Sequence, residues 1–197
     1  MNKKVNSLVF RFITVGILAL VILGGCAWYQ IAYNRIVSQD ETVSASWAQL
    51  ENVLQRRYDL IPNLVSTVKG FSDHEKDVLT EVTRLRSQWQ EAQTVTQKAN
   101  AANGLEPALG RLLVVSEQYP NLKSNENFLQ LQDELAGTEN RISIERYRYN
   151  EALRAFNTSI RSFPNNVIAG FHHFERKDSY FQANVAAQTS PKVSFGK

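Results

Sequence analysis

Cysteine and histidine are almost missing from this chain. Its 197 residues hold one cysteine, Cys26, and three histidines, His74, His172 and His173. A single thiol excludes an internal disulfide framework and any zinc site built on several thiolates. Nine glycines and five prolines are too few for a collagen-like or linker-dominated chain, and 43% hydrophobic residues are too many for wholesale disorder. The length suits one ordinary domain. No G-x-S-x-G, Walker-type Gly-Lys loop, G-x-G-x-x-G or H-E-x-x-H pattern occurs. Cys26 lies in an oily segment, away from any base that would activate it. His172 and His173 are adjacent, and neighbours rarely aim both rings at one ion. His74 sits in Ser72-Asp73-His74-Glu75-Lys76, a solvated helix start. These absences predict a protein with no catalytic residue, cofactor or metal site.

Residues 12–29, FITVGILALVILGGCAWY, contain no charge. Eighteen such residues are long enough for a helix to cross the hydrocarbon core. Trp28, Tyr29 and Tyr33 cluster where an aromatic belt meets headgroups. Two anchors fit this segment. In one it is retained as a signal-anchor helix. In the other, Ile22-Leu23-Gly24-Gly25-Cys26 acts as a lipobox, with cleavage before Cys26 and diacylation of its thiol; the basic start and short apolar core suit a bacterial signal peptide. The apolar run continues past Cys26 through Ala27-Trp28-Tyr29, which favours the retained helix.

Lys3, Lys4 and Arg11 precede the apolar run with no acid, so the positive-inside bias predicts a cytoplasmic N-terminus and an extracytoplasmic remainder. These three cations also account for the whole excess of 22 Lys+Arg over 19 Asp+Glu, leaving residues 30–197 formally neutral. The chain beyond the anchor has no net positive field to recruit nucleic acid.

Past the anchor the apolar positions recur three and four apart. The first stripe runs Ile36, Val43, Trp47, Leu50, Leu54, Ile61, Leu64 and Val68 and extends the anchor helix, with a bend or short break expected near residues 58–62 because Pro62 removes a backbone donor. Ser72 with Glu75 suggests a capping box for a second helix carrying Val78, Val82, Leu85 and Trp89. Residues 97–104 are polar and small and read as a connection, with Pro107 opening a short third helix. A long fourth helix follows Ser124-Asn125, with Phe128, Leu131, Leu135, Thr138, Ile142, Glu145, Tyr149, Phe156 and Ile160 along its seam. Gly137 within it would permit close helix approach. The predicted fold is all-α: an anchor (residues 1–30), an antiparallel up-and-down bundle of two long and two shorter helices (31–165), and an aromatic-rich, partly extended tail (166–197).

Two ionisable residues fall on seam positions, Arg57 in the first stripe and Glu145 in the fourth. Both are expected to face the interior and to meet, as a buried pair that fixes helix register or, in the second reading, as a charge centre that binds a partner or ligand. Arg56, Tyr58 and Asp59 flank the seam and are candidate partner contacts.

The stretch Trp47-Ala48-Gln49-Leu50, followed by RRYDLIPNLV at residues 56–65, resembles the signature of the LemA family of bacterial membrane proteins. Val68-Lys69-Gly70, His74-Glu75-Lys76, Tyr119-Pro120-Asn121-Leu122-Lys123, Asn127-Phe128-Leu129-Gln130-Leu131-Gln132, Gly137-Thr138-Glu139-Asn140-Arg141-Ile142, Tyr149-Asn150 and Phe163-Pro164 continue the likeness in order over roughly residues 33–197. The resemblance implies a membrane segment followed by an all-helical bundle, no enzymatic activity, and an anchor that is either a transmembrane helix or a lipoprotein signal. It describes both sidednesses among family members. It also implies an accessory part in envelope protein quality control, with a membrane metallopeptidase as a partner. Nothing functional carries over to His172-His173, where the family pattern has small or aromatic residues. The leading expectation is a non-enzymatic helical adaptor in the bacterial envelope that touches the lipid bilayer and a membrane protein. Homo-oligomerisation into a structural membrane tether is the second reading, and a metal-dependent hydrolase a remote third.

Overall fold

A computed structural model describes residues 2–71 and 75–181, with side chains from residue 13 onward. Six α-helices make up these residues: α1 (Asn2–Lys69), α2 (Lys76–Glu91), α3 (Val95–Ser116), α4 (Pro120–Lys123), α5 (Glu126–Arg161) and α6 (Asn165–Phe171). No strand occurs among the described residues. The fold is all-α. The chain divides into two compact units. One unit comprises the described residues up to Ser44 with Ala152–Lys177, and the other those of 45–151 with 178–181. Both α1 and α5 contribute to each.

In the first unit α1 begins as a bare apolar rod. Ile13, Val15, Ile17, Leu18 and Leu20 to Leu23 are all more than half exposed. From Ala32 the helix acquires a buried face at Ile36 and Val43, and α5 and α6 bury Leu153, Phe156, Ile160, Ile168 and Ala169. Past α6 the chain leaves through His173, whose φ of 57° reverses the backbone. Phe174 packs edge-on to Phe156 at 6.4 Å and tilts against Tyr33 at 6.2 Å. Asn157 then holds the extended chain: its side-chain amide donates to the Lys177 carbonyl and accepts from the Lys177 N–H, at 2.6 and 3.0 Å. Lys177 also pairs with Asp40 of α1.

In the second unit α1, α2, α3 and α5 pack as an up-down-up-down bundle. Trp47 of α1 meets Tyr149 of α5, and Arg57 meets Glu139. Ten residues forward on one helix are ten back on the other, so the pair is antiparallel and in register. The α2–α3 hairpin turns over residues 92–94. A capping box starts α3: the Thr94 hydroxyl accepts from the Gln97 N–H, and the Gln97 side chain accepts from the Thr94 N–H. The connection therefore lies before the polar residues 97–104, which are helical, and α3 starts twelve residues ahead of Pro107. Small residues explain the misplacement. Ala99, Ala101, Ala102 and Ala108 are buried against neighbouring helices, where small size reads as loop in a hydrophobicity pattern but fits a tight helix contact.

Helix α1 runs unbroken through Pro62. One lost backbone bond is outweighed where Ile61 and Leu64 beside it are fully buried and the proline itself faces outward. The capping box expected at Ser72, and His74, lie outside the described residues.

Candidate functional site

The RRYDLIPNLV stretch lies on α1 in the second unit, and its side chains divide sharply between inside and outside. Leu54, Arg57, Tyr58, Ile61 and Leu64 are buried, whereas Arg56 and Asp59 are exposed. Tyr58 is thus no surface contact. It is 1% exposed, and its ring stacks on Trp89 of α2 with centroids 4.6 Å apart and planes 16° from parallel. The reason is geometric. A stripe wide enough for a four-helix interior takes two adjacent positions per turn, so both Arg57 and Tyr58 turn inward where the three-four rhythm names one.

Asp59 keeps its place on the surface and accepts a hydrogen bond from Gln55 Nε2 at 2.7 Å. Gln55 Oε1 in turn accepts from the Trp89 indole at 3.2 Å. The exposed carboxylate is thereby tied, through one amide, to the ring that covers Tyr58. Above that ring lies the Lys98 ammonium, 5.5 Å from its centroid and paired with Glu51.

Arg57 is 4% exposed and pairs with Glu139 of α5, not with Glu145. Glu145 is half-buried and accepts from Arg148 of its own helix at 2.7 Å. Helix register accounts for the correction. By the α1–α5 pairing, Glu145 faces residue 51, six residues from Arg57 and about 9 Å along the axis. The second interior cation is Arg146. It donates to Glu106 of α3 at 3.2 Å and sits 5.3 Å from the Phe181 ring. Arg146 stands four residues after Ile142 and three before Tyr149, so it fits the three-four rhythm as well as Glu145 does, and the sequence carried that signal. Phe181 stacks on Trp47 at 6.1 Å, and its backbone is clasped by the Asn150 amide through bonds of 2.8 and 3.0 Å.

The two arginines face two glutamates, so the cluster is formally balanced. It is incompletely hydrogen-bonded: Nε and Nη1 of Arg57, Nε and Nη2 of Arg146 and the Tyr58 hydroxyl are buried without a protein partner. Burial, and after it the repulsion of Arg146, lowers the Arg57 pKa to about 10. Burial likewise drives the Tyr58 phenol well above its ordinary value, as it does more modestly for Tyr149. Each interior arginine thus meets one glutamate on a neighbouring helix.

The remaining sequence candidates lie elsewhere. Cys26 is exposed on the apolar part of α1. His172 Nε2 is 2.6 Å from the Tyr29 hydroxyl, and its ring is 4.5 Å from that of Tyr33. His173 is exposed at the backbone reversal.

The fold defines a helical-bundle protein led by an apolar helix long enough to cross a bilayer. The chain belongs to the LemA family, whose sequence model matches residues 46–195. It is similar to magnetosome protein MamQ 2 of Paramagnetospirillum magneticum, 29% identical over 196 residues covering 86% of this chain and 72% of that protein. Magnetosome protein MamQ of Magnetospirillum gryphiswaldense is 27% identical over 183 residues, covering 80% of this chain and 67% of the relative. Protein LemA of Metamycoplasma hominis is 23% identical over 168 residues, covering 85% and 74%. None of these names carries an enzymatic activity.

Proposed function

We propose that this LemA-family chain is a single-pass membrane scaffold without catalytic activity, which fixes a helical bundle beside the bilayer and offers an exposed face of α1 to a membrane-protein partner. One observation carries the reading: α1 is one continuous helix, naked and apolar over residues 13–23 and core-lining from Ala32 to Val68. A single helix that supplies both the anchor and a core-lining segment suits a tether better than an enzyme. The surface it offers is Arg56 and Asp59, with Tyr58 removed from that set because it is buried. The orientation follows the cations at Lys3, Lys4 and Arg11, with the N-terminus in the cytoplasm and the bundle outside it.

The test is photo-crosslinking in intact membranes from position 56 or 59 of the full-length chain, followed by mass spectrometry. A defined membrane-protein adduct, a metallopeptidase included, supports the scaffold. Adducts made only with further copies of the chain replace it with a self-associating tether. Recovery of no adduct above background refutes the proposed face.

A further inference from the structure

In the first unit, a cleft of about 320 Å³ is lined almost wholly by carbon from Trp28 and Tyr29 of α1 and from Pro164, Val167, Ile168 and Phe171 at and within α6. Helix α6 is apolar on both sides. Ile168 and Ala169 are buried at 2%, whereas Val167 and Phe171, one turn apart on the outer face, are 64% and 76% exposed. Phe163, which precedes the Pro164 cap of α6, is 83% exposed. A soluble protein seldom leaves such large aromatic groups together in water.

We infer that α6 and the cleft beside it form a second membrane contact, an interfacial wedge whose outer residues Phe163, Val167 and Phe171 enter the headgroup–acyl boundary of the same bilayer that the first helix crosses. This rests on the reading of α1 as the anchor. Three observations name lipid as the occupant. The cleft is continuous with the anchor: Trp28 and Tyr29 stand only five and six residues past Leu23, where the uninterrupted run of bare aliphatic residues read as the anchor ends. A Trp-Tyr pair at that depth is what an interface selects, because each ring has an apolar body and one polar group. The charge agrees as well. Residues 30–44 and 152–177 carry five Lys and Arg against three Asp and Glu, while the whole of residues 30–197 is balanced. The small positive excess thus falls in the unit that holds the wedge, where anionic headgroups attract it. The wedge would restrain the unit by two contacts, a spanning helix and a short helix lying at the surface.

The test places a nitroxide at Val167→Cys or Phe171→Cys in a Cys26→Ser background of the full-length chain. Leu20→Cys serves as the anchor control and Gln90→Cys as the aqueous control. Vesicles of phosphatidylethanolamine and phosphatidylglycerol receive each protein, and collisions with oxygen are compared with those of a water-soluble nickel chelate. Labels at 167 and 171 are expected to prefer oxygen several-fold, as at position 20. Labels there that behave like position 90, while position 20 still prefers oxygen, overturn the wedge and leave the anchor standing. A nickel-accessible position 20 overturns the anchor itself, and the wedge with it. Labels shielded from both reagents, with spin broadening relieved by dilution into unlabelled protein, assign the cleft to a second copy and likewise overturn the inference.

Discussion

Tyr58 and Arg57 are consecutive, both buried, and shifted by burial so that their charged forms are disfavoured, yet they act on stability with opposite signs. Unfolded tyrosine begins to lose its proton near pH 10, whereas Tyr58 in the fold keeps it, so the unfolded state binds fewer protons and stability falls as pH rises from there. Arg57 titrates from about 10 in the fold, well below the range of an unfolded arginine, so in that window the unfolded state binds more protons and stability rises. The two slopes oppose each other in the native chain. Replacing Tyr58 by Phe keeps the stack on Trp89 and removes a buried hydroxyl that has no protein partner. Tyr58→Phe should therefore stabilise by about 1 kcal/mol at pH 8. Its advantage should widen between pH 10 and 11, as read by chemical denaturation followed by circular dichroism. An advantage that shrinks over that interval would contradict the assignment of the phenol shift to burial. Glu139 offers a second measurement. Losing it strands the Arg57 cation, at a cost of about 2 kcal/mol given that the carboxylate is one-third exposed. Arg57→Leu combined with Glu139→Leu should be less destabilised than Glu139→Leu alone. Arg57 was legible as interior because it interrupts an apolar rhythm. Its partner was not, since a side chain of that length reaches off-seam positions and only the helix register decides which carboxylate it meets.

At the scale of elements, the long amphipathic helices were legible and the short or small-residue segments were not. Periodicity needs large apolar side chains to register, which α1, α2 and α5 have and the start of α3 lacks. The extended chain from His173 to Phe181 was still less legible, for it is held by the side-chain amides of Asn157 and Asn150, two polar residues whose partners exist only after folding. Glycine shows the same limit. Gly137 of α5 looked like a close-approach site, but a Cβ there would meet nothing within 4 Å, whereas one at Gly104 of α3 would come within 2.9 Å of a Leu85 methyl on α2. Gly104 is thus the tight helix contact, and Gly137 retains only the entropic cost of glycine in a helix. Gly137→Ala should raise stability by about 0.5–1 kcal/mol. Gly104→Ala should gain little or nothing, because Leu85 is 4% exposed and has scant room to withdraw. Equal gains in thermal unfolding at the two positions would refute this division.

For the whole molecule, the decisive question is what holds it to lipid, and Cys26 makes that question experimental. Residues 12–29 include nine Ile, Leu, Val and Phe, each contributing about −0.3 to −0.6 kcal/mol to insertion at the helix centre, enough for several kcal/mol before any acyl chain is added. The helix that carries them continues without interruption past Cys26 to Trp28 and Tyr29 and on to Lys69. Cleavage before Cys26 would discard most of that apolar length and leave attachment to the acylated thiol alone. A retained helix makes two joint demands on the full-length protein in a bacterial membrane. Its intact mass should include residues 1–25 with no acyl addition, and Cys26→Ser should stay in the membrane pellet after an alkaline carbonate wash to the same extent as the parent. Loss of the first 25 residues with a gain of acyl mass, together with release of Cys26→Ser into the supernatant, would identify a lipoprotein instead. In that case the exposed aliphatic face of α1 at residues 13–23 would belong only to the precursor, and any lipid contact of the mature chain would fall to the aromatic residues from Trp28 onward.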